Sequence, residues 1–499
     1  MCNFIFICFK RLLRCATAFL DTIDEIGNTT LEVYKMMRYS GEMTDENIRR
    51  IFKDAADFNY RPVRCGQFTL YTYAIDGLTA GANASEYIFK PITDHLEAES
   101  MQQLYDAARN GMIYNSVARE CKDLDTVALM LVNGFCVVLF PDVGAIAFEV
   151  KTPEKRGISA PELEHTAKGA KDAFVETNRT NTSLIRRHLR TPNLRIYETQ
   201  VGQHSVTNVS VVWIAGVTDI ELVARMKKRL NSMRTDGLVT PAAVEELITG
   251  GRKTAFPLLQ YTERADRFCE GLLAGRVGVI VDGIPLGYLA PVDVGVLMES
   301  PEDWGKDYVS ASAIRILRYG ALLLSLLLPG FFIAMATFHQ EMIPLQLLRA
   351  MIESKESVPL STSLEIILLL LAFEILQESG VHLPPSIGQS VSIIGGIVVG
   401  TAAVEAKFIS PAALIAVSVA GVCGYVLPNR DFADGIRAWR FVVAVFSALA
   451  GLFGWTIGFL ALLLHLASLT SLDVPYLSPF SRGGQLFLLR HLKKQEDNK

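Results

Sequence analysis

Charge is spread so unevenly along this chain that its two parts cannot share one solvent. Residues 319–478 hold 16 charged side chains, six basic and ten acidic, in 160 positions; the other 339 positions hold 84. The first stretch has the composition of a membrane protein and the rest that of a soluble one. A domain takes roughly 100–200 residues, so 499 residues leave room for several. The expected architecture is an α/β soluble N-terminal region of two subdomains (1–155 and 156–310). An all-α transmembrane domain (319–478) of four spans plus one short helix follows, then a basic C-terminal tail (479–499). The net charge of −4 speaks against a nucleic-acid binder, which would carry a basic face.

The eight cysteines are scattered, with no C-x-x-C pair and no Cys/His group at metal-ligand spacing. Reduced, buried thiols facing a reducing cytoplasm are the better reading than a disulfide framework. At the N-terminus the apolar run 1–9 precedes Lys10, Arg11 and Arg14. That order is the reverse of a secretory signal, so an amphipathic first helix reaching Leu20 is expected.

In the soluble half, Thr44 is a candidate N-cap for a helix over 44–60, and 67–76 alternates in the manner of a strand. The apolar run 127–150 is interrupted at Asn133-Gly134 and at Pro141–Gly144, which predicts a buried hairpin or meander. A helix is expected over 165–190, strands over 194–202 and 206–215, helices over 219–234 and 241–249, and a strand over 276–282. The sequons at Asn178, Asn181 and Asn208 read as incidental.

Motifs that would signal chemistry dissolve on weighing. The stretch 249–254 lacks phosphate-loop spacing, and no G-x-S-x-G or H-E-x-x-H occurs. No catalytic, cofactor or metal constellation is assigned, and the chain reads as no enzyme. Arginines do cluster beside carboxylates, at Arg179, Arg186, Arg187 and at Glu263-Arg264. Their planar fork suits subunit interfaces as well as anion sites, and a solvated helix face explains them equally well.

In the apolar half, about 20 apolar residues are needed to cross a bilayer. Residues 319–338, 387–404, 409–427 and 441–466 meet that need, the first with an expected kink or break at Pro329-Gly330. Between the first two lies 364–376, too short to span and carrying Glu365 and Glu374, which are costly in lipid unless they face protein or water. They are candidate ion-pathway carboxylates. A single span separates Arg430, Arg437 and Arg440 from the basic tail, so the positive-inside rule cannot place both groups in the cytoplasm. The stretch 386–401 is rich in small and polar residues, which lets helices approach closely. Read functionally it is a water-facing wall: Ser386, Gln389 and Ser390 are polar, Gly396 is small, and Ile393, Ile394 and Ile397 form an apolar gate. So few spans per chain would need a ring of subunits to enclose a pore.

Long ordered stretches carry a resemblance to a known family: 171–189, FPLLQYTERAD (256–266), VIVDGIPLGYLAP (279–291), 327–344, 373–411 and VPYLSPF (474–480). The chain resembles A-type subunits of the GerA family of spore germination proteins. The resemblance implies a membrane protein of the spore inner membrane, its N-terminal domain on the core side. It implies partners: a B-type nutrient-receptor membrane subunit, a C-type lipoprotein and further copies of itself in a pentamer, in contact with membrane lipids. It also implies a nutrient-gated cation channel, and an interface role for Arg179, Arg186, Arg187, Glu263 and Arg264. The family pattern has prolines near Ala170 and at Ala265, where this chain departs. A non-conducting scaffold that clusters receptors, or a paralogue linked to the dipicolinate-release channel, is the alternative; a transporter ranks last for want of an inverted repeat.

Overall fold

The computed structural model describes residues 39, 41–94, 99–113, 117–150, 161–162, 164, 166, 168–232, 235–251, 253–381 and 400–477. The first part of it is sheet-rich and the second helical. Helix α1 (Asp45–Ile51) is capped by Thr44 and stops at Ile51 instead of continuing to residue 60. Asp54 takes a left-handed backbone, and the chain leaves as β1 (Phe58–Cys65), paired antiparallel with β2 (Phe68–Ile75). Short helical turns over 81–94 and 101–112 precede β3 (Ala118–Cys121). The run expected to be all hairpin then divides. Asp123 caps helix α2 (Leu124–Val132), and only past Gly134, at φ +84°, does the hairpin β4 (Phe135–Phe140) and β5 (Gly144–Glu149) form. Every residue of β4 is buried because both faces are covered. Val137 and Leu139 pack toward α1 and α2, and Cys136, Val138 and Phe140 toward those helical turns.

Helix α3 (Asn178–His188) starts later than expected because the chain before it is clamped extended. The Asn181 amide accepts from Val175 N (2.8 Å) and donates to Val175 O (2.6 Å), and Phe174 N donates to Glu263 O (2.7 Å). Then follow β6 (Leu194–Val201), β7 (Thr207–Ile214), α4 (Ile220–Ser232), α5 (Pro241–Thr249), β8 (Gln260–Thr262), α6 (Ala265–Leu273), β9 (Val277–Val281) and β10 (Gly287–Ala290). Phe268 of α6 packs directly on the sheet, where a Cβ on Gly278 would stand 2.2 Å from its ring.

The two five-stranded sheets share one plan. Their strand orders, β1-β2-β4-β5-β3 and β6-β7-β9-β10-β8, are the same permutation, and every named pairing is antiparallel. In both, the first and last helices (α1 with α2, α3 with α6) cover one face and the middle helices cover the other. No sequence repeat announces this duplication.

The helical part differs from expectation in length and connection. Helix α7 (Tyr308–Thr337) begins well before residue 319 and runs through Pro329 without a break. After α8 (Leu345–Lys355), helix α9 (Thr362–Val381) has 20 residues where a short piece was expected. Helix α10 (Pro411–Tyr425) is shorter than the apolar run that contains it. Helix α11 (Arg430–Ser468) is a hairpin, not the single span expected over 441–466. Trp439 and His465 lie 26 positions apart, about 39 Å along a straight helix, yet their ring centroids are 5.3 Å apart. The chain reverses at Ala450-Gly451, where Gly451 takes φ +59°, ψ −137°; Gly454 and Gly458 then let the second arm lie against the backbone of Phe446 and Val443. Among the described residues, α7 and α11 are long and apolar enough to cross a bilayer. Beyond α11, the strands β11 (Thr470–Ser471) and β12 (Val474–Pro475) return to the second sheet, where Ser471 Oγ donates to Leu258 O (2.7 Å).

Candidate functional site

The arginine-rich helix α3 sits where the two sheets meet. Arg186 donates from Nε and Nη2 to both oxygens of Asp57, each at 2.7 Å, and both side chains are 1% exposed. Around this fork, Ala56 N donates to Ile196 O (2.9 Å) and Arg195 Nη1 to Ile51 O (2.8 Å). Arg179 bridges Asp76 and Glu198, each at 3.1 Å. Arg186 is therefore spent inside the chain, and Arg187 is half-buried on the same helix. The Asn178 and Asn181 sequons are buried too, Asn178 donating to Ser210 Oγ (2.8 Å).

Glu263 and Arg264 do not pair with each other. Glu263 accepts from Glu164 N (2.7 Å), while Arg264 turns to Asp266 (2.6 Å) and Thr166 (2.7 Å). Ala265 is the first residue of α6, a position that tolerates proline and does not require it.

A second ionic cluster, unforeseen from the sequence, fastens the sheets to α7. Asp303, fully buried, accepts from Arg318 at 2.5 and 2.9 Å, and Arg315 reaches Glu299 at 3.1 Å. This pairing is what lets α7 start so early: two arginines that would be costly alone are neutralised by the preceding turn. The signal is the Arg-x-x-Arg pair Arg315/Arg318 at the head of the apolar run 319–338. Beside it lies a cavity of about 730 Å³ lined by Arg225, Arg267, Arg276, Glu299 and Asp473 among others. Burial pushes the Arg276 guanidinium down to about 10 and the Glu299 carboxyl up.

In the helical part, Glu365 is fully buried against protein, accepting from Ser410 N at the start of α10, with Lys355 at 3.8 Å. Glu374 faces the first arm of α11, 3.5 Å from Arg437 and 3.9 Å from Arg440. Both carboxylates thus have cationic neighbours. The gate candidates Ser386, Gln389, Ser390, Ile393, Ile394, Gly396 and Ile397 lie outside the described residues. Among the described residues Cys65, Cys121, Cys136 and Cys269 are buried and unpaired, and no group of three metal-ligating side chains is formed.

Comparison with known proteins follows the same span of chain. The family model for the Bacillus/Clostridium GerA spore germination protein matches residues 46–492. The chain is 32% identical to the uncharacterized membrane protein YfkQ of Bacillus subtilis, over 88% of this chain and 86% of that one. It is 32% identical to spore germination protein KA of Bacillus subtilis, over 86% and 79% of the two chains. With spore germination protein A1 of the same organism the identity is 33%, over 70% and 73%. Among solved structures, the N-terminal domain of the A subunit of the Bacillus megaterium spore germinant receptor GerK3 aligns with a TM-score of 0.39 and 22% identity, covering 49% of this chain and 91% of that one. By the match that runs through both sheets and all the long helices, this chain belongs to the GerA family of spore germination proteins.

Proposed function

We propose that this chain is an A-type subunit of a spore germinant receptor, assembling in the spore inner membrane as a ring, five-fold in our reading, that forms a nutrient-gated cation channel. Family membership carries the receptor role. The channel role rests on the small and polar stretch 386–397, set within an otherwise apolar half-chain. In this reading α7 and the α11 hairpin lie in the membrane, with the sheets on the core side. A B-type membrane subunit and a C-type lipoprotein complete the receptor, and Arg179 and Arg187 are the arginines of α3 left exposed enough to meet a neighbouring subunit. The stretch 386–397 lines the path, with Ile393, Ile394 and Ile397 as its apolar constriction.

The test is potassium release from dormant spores carrying Ile393→Ser, without nutrient. Spontaneous release at normal protein levels is the expected outcome. Tight spores that still respond to nutrient would remove Ile393 from the gate and leave a non-conducting scaffold as the better description.

A further inference from the structure

We propose that α8 is an interfacial helix whose open apolar flanks sit among lipid acyl chains, at the headgroup boundary of the leaflet far from the sheets. This rests on the reading above that α7 lies in the membrane. No residue of α8, LQLLRAMIESK, is buried. At about 100° per residue, Leu345, Leu347, Leu348, Met351, Ile352 and Lys355 fall within an arc of about 160°. Gln346, Arg349 and Glu353 occupy the arc opposite and are exposed. An apolar stripe of that width is made to be covered. Its middle is covered by protein: Leu348, Met351 and Lys355 line a small cavity with Phe332 and Ala336 of α7 and Ser410 at the head of α10. Its flanks are open, with Leu347 55% exposed on one side and Leu345 62% and Ile352 55% exposed on the other.

Depth selects the occupant. Phe332 precedes Phe338, the end of the apolar run 319–338, by six residues, about 9 Å of helix. Helix α8 therefore lies beside the last turn and a half of that run and not beyond it. An amphipathic interfacial helix buries its apolar face about 5–10 Å into the same layer. Phe338 and Met342, both exposed, extend the apolar surface at this level, so it continues the lipid-facing surface of α7. The helix cannot roll to hide its flanks. Lys355, in its last turn, is 3.8 Å from Glu365, which is fully buried and accepts from Ser410 N. Rolling would withdraw Lys355 and leave that carboxylate buried without its cation, which is costly. With Lys355 engaged there and Arg349 offset by Glu353, attachment comes from apolar area and asks for no anionic headgroup.

The test places the photoreactive side chain p-benzoylphenylalanine at single positions of the full-length chain and irradiates native membranes. At Leu347 and at Ile352 it should form lipid adducts, read by mass spectrometry of the protein. At Gln346 and Glu353, on the opposite face, those adducts should be lost. Cross-links to a second copy of this chain or to another protein in place of lipid, from Leu347 or from Ile352, overturn the proposal. Absence of any adduct at both flanks overturns it too, as do lipid adducts in equal yield at Gln346 and Glu353. If the chain carrying the probe at Ile352 is missing from membranes, Leu345 on the same flank takes its place. Leu324, 47% exposed in the middle of the α7 run, separates the two readings. No lipid adduct there refutes the membrane placement of α7, whereas a lipid adduct there beside none at either flank of α8 refutes the interfacial helix alone.

Discussion

Asp57 and Arg186 show what one buried ion pair does for a two-sheet fold. The residues lie 129 positions apart, and their paired fork closes the seam between the sheets with both side chains 1% exposed. Removing one partner of such a pair leaves the other buried and uncompensated. Asp57→Ala should therefore lower the stability of the full-length protein in detergent by about 3–5 kcal/mol, whereas Asp57→Leu with Arg186→Met, apolar and similar in volume, should recover most of it. Thermal unfolding followed by the sheet signal checks both, and an unchanged midpoint for the single variant would show the fork to be ornamental. Half of this was legible: the arginine density of α3 drew attention, but the chemistry of Arg186 depends on a carboxylate that no spacing rule links to it. Glu263 and Arg264 illustrate the converse, adjacent in sequence and turned to different partners.

At the scale of elements, the differences from expectation have a common cause: the length of an apolar run does not set an element's bounds, because caps and left-handed residues decide where it stops. Asp123 turned the front of an apparent hairpin into a helix, and Asp54 ended α1 early. The largest case is α11, whose apolar run contains no proline and no charge to mark the reversal. The turn rests on Gly451, in a backbone region that side chains avoid, with Phe338 packed 2.9 Å from where a Cβ would sit. Gly451→Ala should cost about 1–3 kcal/mol from backbone strain alone, while Ala450→Gly should be far milder. Thermal unfolding in detergent compares the two, and equal effects would mean that the reversal does not depend on the conformation of Gly451.

At the scale of the molecule, the hairpin resolves a contradiction in the charges. With one span between them, Arg430, Arg437 and Arg440 and the basic tail fall on opposite sides. With the hairpin, both ends of α11 lie beside the sheets: Phe256 touches Phe432 of the first arm and His465 of the second. The prediction is that Asp434→Cys and Asp473→Cys react with a membrane-impermeant maleimide from the same side of sealed vesicles and Glu341→Cys, near the far end of α7, from the other. Labelling of Asp434→Cys and Asp473→Cys from opposite sides would restore the single span.

Local order in the chain was enough to determine the division into a soluble and an apolar part, most strands of both sheets and the family, because composition, alternation and long motifs are properties of neighbours in sequence. Only the tertiary structure decided that the sheets repeat one plan, that Arg186 closes a seam, that Arg315 and Arg318 are paired at the head of α7, and that α11 doubles back. Each of those depends on groups brought together from far along the chain. Burial makes an unpaired charge or an unfilled turn costly only once the distant partner is in place.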